Sequence, residues 1–247
     1  KIGGKNFLLN DSWAPMNVPP SYGILPMIIG SVMITFLSCV AAVPISIMVA
    51  CYLAFDCPNK IYRILKPALN LMTGIPSIVY GFFALTIIVP INRSIFGGTG
   101  MNMLSAAILL LIMILPTIIS MAESSLRTVP KSFYQGSLSL GATHDETITR
   151  VMVPAAKSGI FAGIILGVGR AIGETMAVIL VAGNQTRLTF NPLKGVRTMT
   201  TNIVMEMAYA AGEHRQALIA TAAVLFIFIL IINLGFFILK NRSENNG

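Results

Sequence analysis

Two ionisable residues sit where ionisable residues are costly. Arg170 and Glu174 lie in Gly167-Val168-Gly169-Arg170-Ala171-Ile172-Gly173-Glu174-Thr175-Met176, within an otherwise largely apolar stretch from Ser158 to Gly183. An arginine at the centre of a membrane-spanning helix costs at least about 2.5 kcal/mol on insertion scales, so it must face a cavity or a partner. A spacing of four places both residues on one face of a continuous helix. Two readings stand. Either the pair neutralises itself and ties helices together, or Arg170 faces a pathway and meets an anion while Glu174 neutralises or gates it. A guanidinium suits a tetrahedral oxyanion because it donates two parallel hydrogen bonds. A further candidate is Ser77 in Gly74-Ile75-Pro76-Ser77. That tetrapeptide can break a helix inside a membrane and expose backbone N–H groups to a solute, with the Ser77 hydroxyl beside them. The alternative there is a plain proline kink.

Other chemistry finds little support. His144 and His214 are far apart, the three cysteines show no metal-ligand spacing, and no nucleophile–base pair stands out. The expectation is therefore a chain with no cofactor, no metal and no catalytic residues. The G-x-x-x-x-G-K-[ST] phosphate loop is absent, so energy from ATP would have to come through another chain. Composition explains why. The 247 residues are 55% hydrophobic and 11% charged, with mean hydropathy +0.80, whereas soluble domains carry about 25% charged residues.

The apolar residues come in five long runs, near 24–55, 68–90, 103–122, 158–183 and 217–239. A bilayer core requires about 20 apolar residues of a helix. The runs do not alternate as barrel strands do, so the expectation is an all-α integral membrane protein. Residues 1–23 are polar and proline-rich, unlike a signal peptide, and read as an extracytoplasmic N-terminal segment. Residues 240–247 read as a cytoplasmic tail. Of the charged connecting segments, one set holds nine Lys and Arg and the other seven. The positive-inside rule thus favours 57–66, 123–157 and the tail as cytoplasmic by a narrow margin. The basic residues on the other side, Arg187, Arg197 and Arg215 among them, read as solvated loop charge or as a dock for an acidic partner.

The segment 123–157 is ordered rather than loop-like. Ser132 with Gln135 has capping-box spacing, Gly141 suits a helix end, and Thr143 with Glu146 forms a second box. Pro154 is expected to stop the second helix. Gly163 with Gly167, and Gly169 with Gly173, have the spacing of close helix packing.

Here the residues meet a known family. Gln135-Gly136-Ser137-Leu138-Ser139-Leu140-Gly141-Ala142, followed by Val151-Met152-Val153-Pro154, resembles the EAA motif of ABC importer permeases: Glu-Ala-Ala, three residues, Gly, nine residues and Ile-x-Leu-Pro. Gln135 replaces the Glu and Gly136-Ser137 the Ala-Ala. The resemblance implies that Gln135, Gly136, Gly141, Ala142 and Pro154 belong to a coupling element that docks on a cytoplasmic ATPase. GIPSIVYGFFAL and GVGRAIGETMAVILVAGN, with Met199-Thr200-Thr201-Asn202-Ile203 and Glu206-Met207, look like the permeases of the phosphate-specific (Pst) uptake system, and more like its PstC-type subunit than its PstA-type partner. The resemblance covers the chain from about Ile24 onward. It implies the type I importer (MetI-like) fold, with five spans visible of six and one expected upstream of Lys1. It also implies inorganic phosphate as solute, a PstA-like partner permease, PstB-like ATPase subunits and an extracytoplasmic phosphate-binding protein. Arg170, Glu174 and Ser77 become the candidate pathway residues. A permease for molybdate or sulfate, a secondary transporter or channel, and a membrane-embedded enzyme are the competing expectations.

Overall fold

The structure, a computed structural model, describes the backbone of residues 4–245 and the side chains of 6–236 and Ile238. The charges counted above at Lys1, Lys5, Lys240 and Arg242 lie outside the described side chains, as does the end of the tail. A short N-terminal piece holds α1 (Gly4–Leu9) and a two-residue hairpin, β1 (Trp13–Ala14) and β2 (Ser21–Tyr22). Helices follow: α2 (Leu25–Cys51), α3 (Asn59–Gly74), α4 (Ser77–Phe83), α5 (Val89–Phe96) and α6 (Met103–Thr128). Then come α7 (Lys131–Ser139), α8 (His144–Thr147), α9 (Val153–Ala155), α10 (Lys157–Gly173), α11 (Met176–Val181), α12 (Met199–Glu206) and α13 (Gly212–Asn245).

Four helical stretches are long and apolar enough to cross a membrane: Leu25–Asp56, Ser77–Phe96, Met103–Thr128 and Gly212–Phe236. A fifth is counted when the bent pair His144–Ala155 and Lys157–Gly173, at 71°, is taken as one span. The number agrees with the five apolar runs, but two boundaries differ. The second span begins at Ser77, not near Ala68, because Pro76 caps a new helix in extended backbone (φ −58°, ψ 138°). What precedes it, α3, is a separate amphipathic helix with no buried residue. The run expected over 158–183 is not continuous either: α10 stops at Gly173 and α11 restarts at Met176.

Three π-helical turns lie just before prolines. Tyr52–Asp56, Ala84–Ile88 and Ile148–Met152 each end two residues before a proline, at Pro58, Pro90 and Pro154. In each, the residue before the proline donates its N–H five residues back: Cys57 to Tyr52, Val89 to Ala84, Val153 to Ile148. At Pro90 and Pro154, where the helix runs on, the wider turn makes room for a ring that clashes with a normal helical carbonyl and cannot donate; at Pro58 the helix has already ended, with Cys57 extended (ψ 121°). Pro154 therefore does not stop the helix as expected. The helical run passes through it and yields at Ala156 (φ −88°, ψ 2°).

The chain divides into two compact units. The first comprises residues 1–39, 76–111 and 171–231, with a core of Phe7, Trp13, Tyr22, Ile24, Met27, Met199 and Leu218. The second comprises 40–75, 112–170 and 232–247, with a core of Ala50, Ala122, Leu126, Met152, Ala156 and Ile160. Within the second, α10 lies directly on α6. A Cβ added at Gly163 would come 2.8 Å from Met121 Cβ, and one at Gly167 2.7 Å from Ile118 Cγ1. This GxxxG pair packs as expected. Gly169 and Gly173 do not, since a Cβ on either would meet nothing within 4 Å.

Candidate functional site

Arg170 lies in the last turn of α10, where a cation is favoured by the helix dipole. Its side chain is half-buried, and Nη1 donates to Thr117 Oγ1 on α6 at 3.3 Å. Among the described residues that neutral hydroxyl is its one side-chain hydrogen-bond partner. Glu174 stands past the helix end, so the premise that it shares a helical face with Arg170 fails. Its Oε1 accepts the Ala177 N–H at 3.0 Å and its carbonyl accepts the Thr200 hydroxyl at 3.0 Å. The carboxylate thus satisfies one of the free donors at the start of α11. In place of the mutual pair of the first reading, Arg170 bonds α6 and Glu174 bonds the start of α11. Ser77 opens α4 half-buried, and no side-chain hydrogen bond engages its hydroxyl among the described residues.

The element between the third and fourth spans is built as a hairpin. The capping box at Thr143 and Glu146 is present in both directions, with Glu146 N–H donating to Thr143 Oγ1 and Thr143 N–H to Glu146 Oε2. The box expected at Ser132 and Gln135 is absent. Pro130 occupies the cap position with no side-chain bond, and Ser132 falls inside the first turn. Gly141, at φ 88°, makes the left-handed turn that ends α7, with its N–H on Leu138 O and that of Ala142 on Ser137 O. Gln135, Gly136, Gly141 and Pro154 are exposed, and Ala142 is half-buried. Phe133, Leu138 and Leu140 project to the outside, Leu140 at 91% exposure. The hairpin is tied to the end of the first span by His144. Tyr134 Oη lies 2.6 Å from Nδ1 and Asp56 Oδ1 2.6 Å from Nε2, while Phe55 stacks on Tyr134.

Two buried carboxylates escaped the sequence reading. Glu123 accepts from Lys66 Nζ at 2.6 Å, Tyr62 Oη at 2.8 Å and Arg127 Nε at 2.6 Å. The carboxylate at its hydrogen bond pushes the Tyr62 phenol up from its ordinary pKa. Only the Glu123–Arg127 spacing of four was visible in the sequence; Tyr62 and Lys66 come from a distant helix. In the first unit, Glu206 accepts from Arg197, from Trp13 Nε1 at 2.9 Å and pairs with His214 Nε2 at 2.8 Å. Arg197 is thus not a solvated loop charge: it is largely buried and also bonds Asn202 Oδ1 and Asn184 O.

Residues 42–245 match the family described as the binding-protein-dependent transport system inner membrane component. The chain belongs to that family. As a permease it is 40% identical over 233 residues to a probable ABC transporter permease protein, YqgH, of Bacillus subtilis, covering 92% of this chain and 75% of that one. It is 32% identical over 250 residues to the phosphate transport system permease protein PstC of Mesorhizobium japonicum, covering 93% and 76%. In fold, the permease resembles the inward-facing MetNI methionine ABC transporter, with TM-score 0.72, 19% identity and coverage of 89% and 95%. It also resembles a bacterial alginate ABC importer at TM-score 0.68 and 13% identity. The MetI-like fold and the inner-membrane, multi-pass location read from the sequence are borne out.

Proposed function

We propose that this permease is the PstC-type subunit of an ATP-driven importer of inorganic phosphate, and that Arg170 contacts the anion in transit. The observation that carries the reading is a guanidinium within a spanning region whose hydrogen bond goes to a neutral hydroxyl. A charge left so poorly matched at membrane depth is held for something charged that comes and goes. A tetrahedral oxyanion fits it, and phosphate is the solute named in the PstC relatives. Glu174 and Ser77 remain pathway candidates on this reading, Glu174 by shaping the start of α11 and Ser77 by its uncommitted hydroxyl.

The assembly proposed with it contains a PstA-like second permease, PstB-like ATPase subunits that supply the ATP hydrolysis, and an extracytoplasmic phosphate-binding protein. The α7–Gly141–α8 hairpin is the cytoplasmic coupling element. Its projecting Phe133, Leu138 and Leu140 offer an apolar face to an ATPase groove, and the Tyr134–His144–Asp56 link passes its displacement to the first span.

The test is phosphate uptake by the whole complex in vesicles, Arg170→Ala against wild type, with ATP hydrolysis followed in parallel. Lost uptake in an assembled complex is the expected result; wild-type uptake would remove Arg170 from the pathway. Cysteine cross-linking from Leu140→Cys to the ATPase subunit checks the coupling element, and a complete lack of cross-linked product would overturn it.

A further inference from the structure

Many hydroxyl groups of the spanning helices satisfy themselves along their own helix, Ser46 and Ser120 are buried without a partner among the described residues, and Thr117 accepts from a charged donor on another helix. In an apolar setting a Ser or Thr side chain satisfies itself by donating to the carbonyl four residues back. Ser31 does so to Met27, Thr86 to Phe82 and Thr221 to Ala217. On α6 itself, Ser125 donates to Met121 and Thr128 to Ser124, both at 2.8 Å. Thr117, on the same helix, makes no such bond among the described residues. Its oxygen instead accepts from Arg170. A hydroxyl has one donor and two acceptor sites, so this arrangement uses an acceptor site and leaves the proton without a destination.

The position of that hydroxyl is well defined. Gly163 and Gly167 let α10 lie against α6 at Met121 and Ile118, which holds the helix carrying Arg170 on the helix carrying Thr117. Thr117 is half-buried, as Arg170 is, so the pair is reachable from outside the packed interface. A cation is repelled by the guanidinium. A neutral acceptor would not neutralise it. An oxyanion accepts from both groups at once, taking a charged N–H and a neutral O–H on different oxygens.

We infer that Thr117 is a second ligand for the transported oxyanion, its hydroxyl donating to an oxygen of the anion that Arg170 holds. The inference rests on the reading of Arg170 as the anion contact and adds a residue that no sequence motif marks. Unliganded, the hydroxyl keeps the guanidinium placed; with the anion present, it turns its proton to the solute.

The experiment is initial-rate uptake of radiolabelled phosphate by proteoliposomes holding the whole complex, across a range of loaded binding protein. Thr117→Val, Thr117→Ser and Arg170→Ala are compared with wild type, and assembly is checked by co-purification. Losing a hydrogen bond to a charged ligand lowers the maximal rate of Thr117→Val by about tenfold or more. Thr117→Ser stays within about twofold of wild type, because the donor is kept. The KM for the loaded binding protein is unchanged in both, since Thr117 meets the anion only after delivery. If Arg170→Ala abolishes uptake while Thr117→Val is normal, this inference fails and the Arg170 reading survives. If Arg170→Ala is normal, both fail together. If Thr117→Ser is as impaired as Thr117→Val, the hydroxyl is not the active feature and the inference is overturned. Should Thr117→Val not assemble, Thr117→Ala is read by the same criteria.

Discussion

Arg127 and Arg170 each occupy the last turn of a helix in the same unit, yet they are treated in opposite ways. Arg127 gives Nε to Glu123 and Nη2 to the Leu53 carbonyl, and lies over the Tyr62 ring at 4.6 Å from its centre. Arg170 has one long bond to a neutral oxygen. The first arginine is architecture: its charge is matched, its geometry is fixed from several sides, and it joins α3, α6 and the end of the first span. The second is incompletely matched in the protein alone. The difference lies in partners rather than burial: Arg127, 45% exposed, has an anion, a carbonyl and a ring, whereas the half-buried Arg170 has a neutral hydroxyl, and the proposed function assigns that unmatched charge to the solute.

The largest effect that sharpens this comparison should come from Glu123→Ala. It strands Lys66 and Arg127 beside a site whose carboxylate is 1% exposed. Lys66 and Arg127 are partly exposed and can be hydrated once the carboxylate is gone, so losing its three hydrogen bonds should cost about 3 kcal/mol in all, and thermal unfolding of the purified protein should shift down. Arg170→Ala loses one hydrogen bond to a neutral group and should change stability by about 1 kcal/mol or less, while transport collapses. If the two variants lose stability equally, the division between architectural and functional arginines is wrong. Glu206→Gln makes the same comparison in the first unit. Arg197 would lose its anion, and destabilisation of about 3 kcal/mol is expected on thermal unfolding; a neutral result would mean that the His214 and Trp13 bonds carry that site without charge.

A smaller effect separates the two glycine pairs. Gly163→Val drives a side chain into Met121 and should cost about 1–3 kcal/mol as overpacking does. Gly169→Ala meets open space and should stay near wild type. Thermal unfolding of both variants reads the difference, and equal losses would place a partner on Gly169 that this chain by itself does not show.

Much of the fold was legible because the bilayer demands long apolar helices and the composition supplies them. The runs near 24–55, 103–122 and 217–239, the glycine end of α7 and the Thr143 capping box all rest on local rules and all appear, while the run near 68–90 is shortened and that near 158–183 is broken. What failed depended on where a local rule is overridden. Pro154 passes unbroken because a π turn removes its clash. Ser132 does not cap because the proline two residues earlier already sets the helix entry. The Arg170–Glu174 spacing misled because Glu174 bonds the next turn once α10 ends. The networks at Glu123 and Glu206 bring together residues as far apart as Trp13 and Glu206, and no spacing rule reaches that distance. Thr117 was invisible for a different reason: only its contact with Arg170 across two helices marks it.

The smallest effect bears on the hairpin. Thr143→Ala removes a working cap, and such losses cost about 1 kcal/mol. Ser132→Ala removes a side chain that caps nothing and should be silent in the same unfolding measurement. The pair also separates stability from coupling. Thr143 sits next to His144, which holds the hairpin to Asp56 and Tyr134. Loosening α8 should therefore lower the phosphate moved per ATP hydrolysed even where the permease remains folded. An uncoupled Ser132→Ala with intact stability would instead mean that the start of α7, rather than the His144 link, carries motion into the membrane.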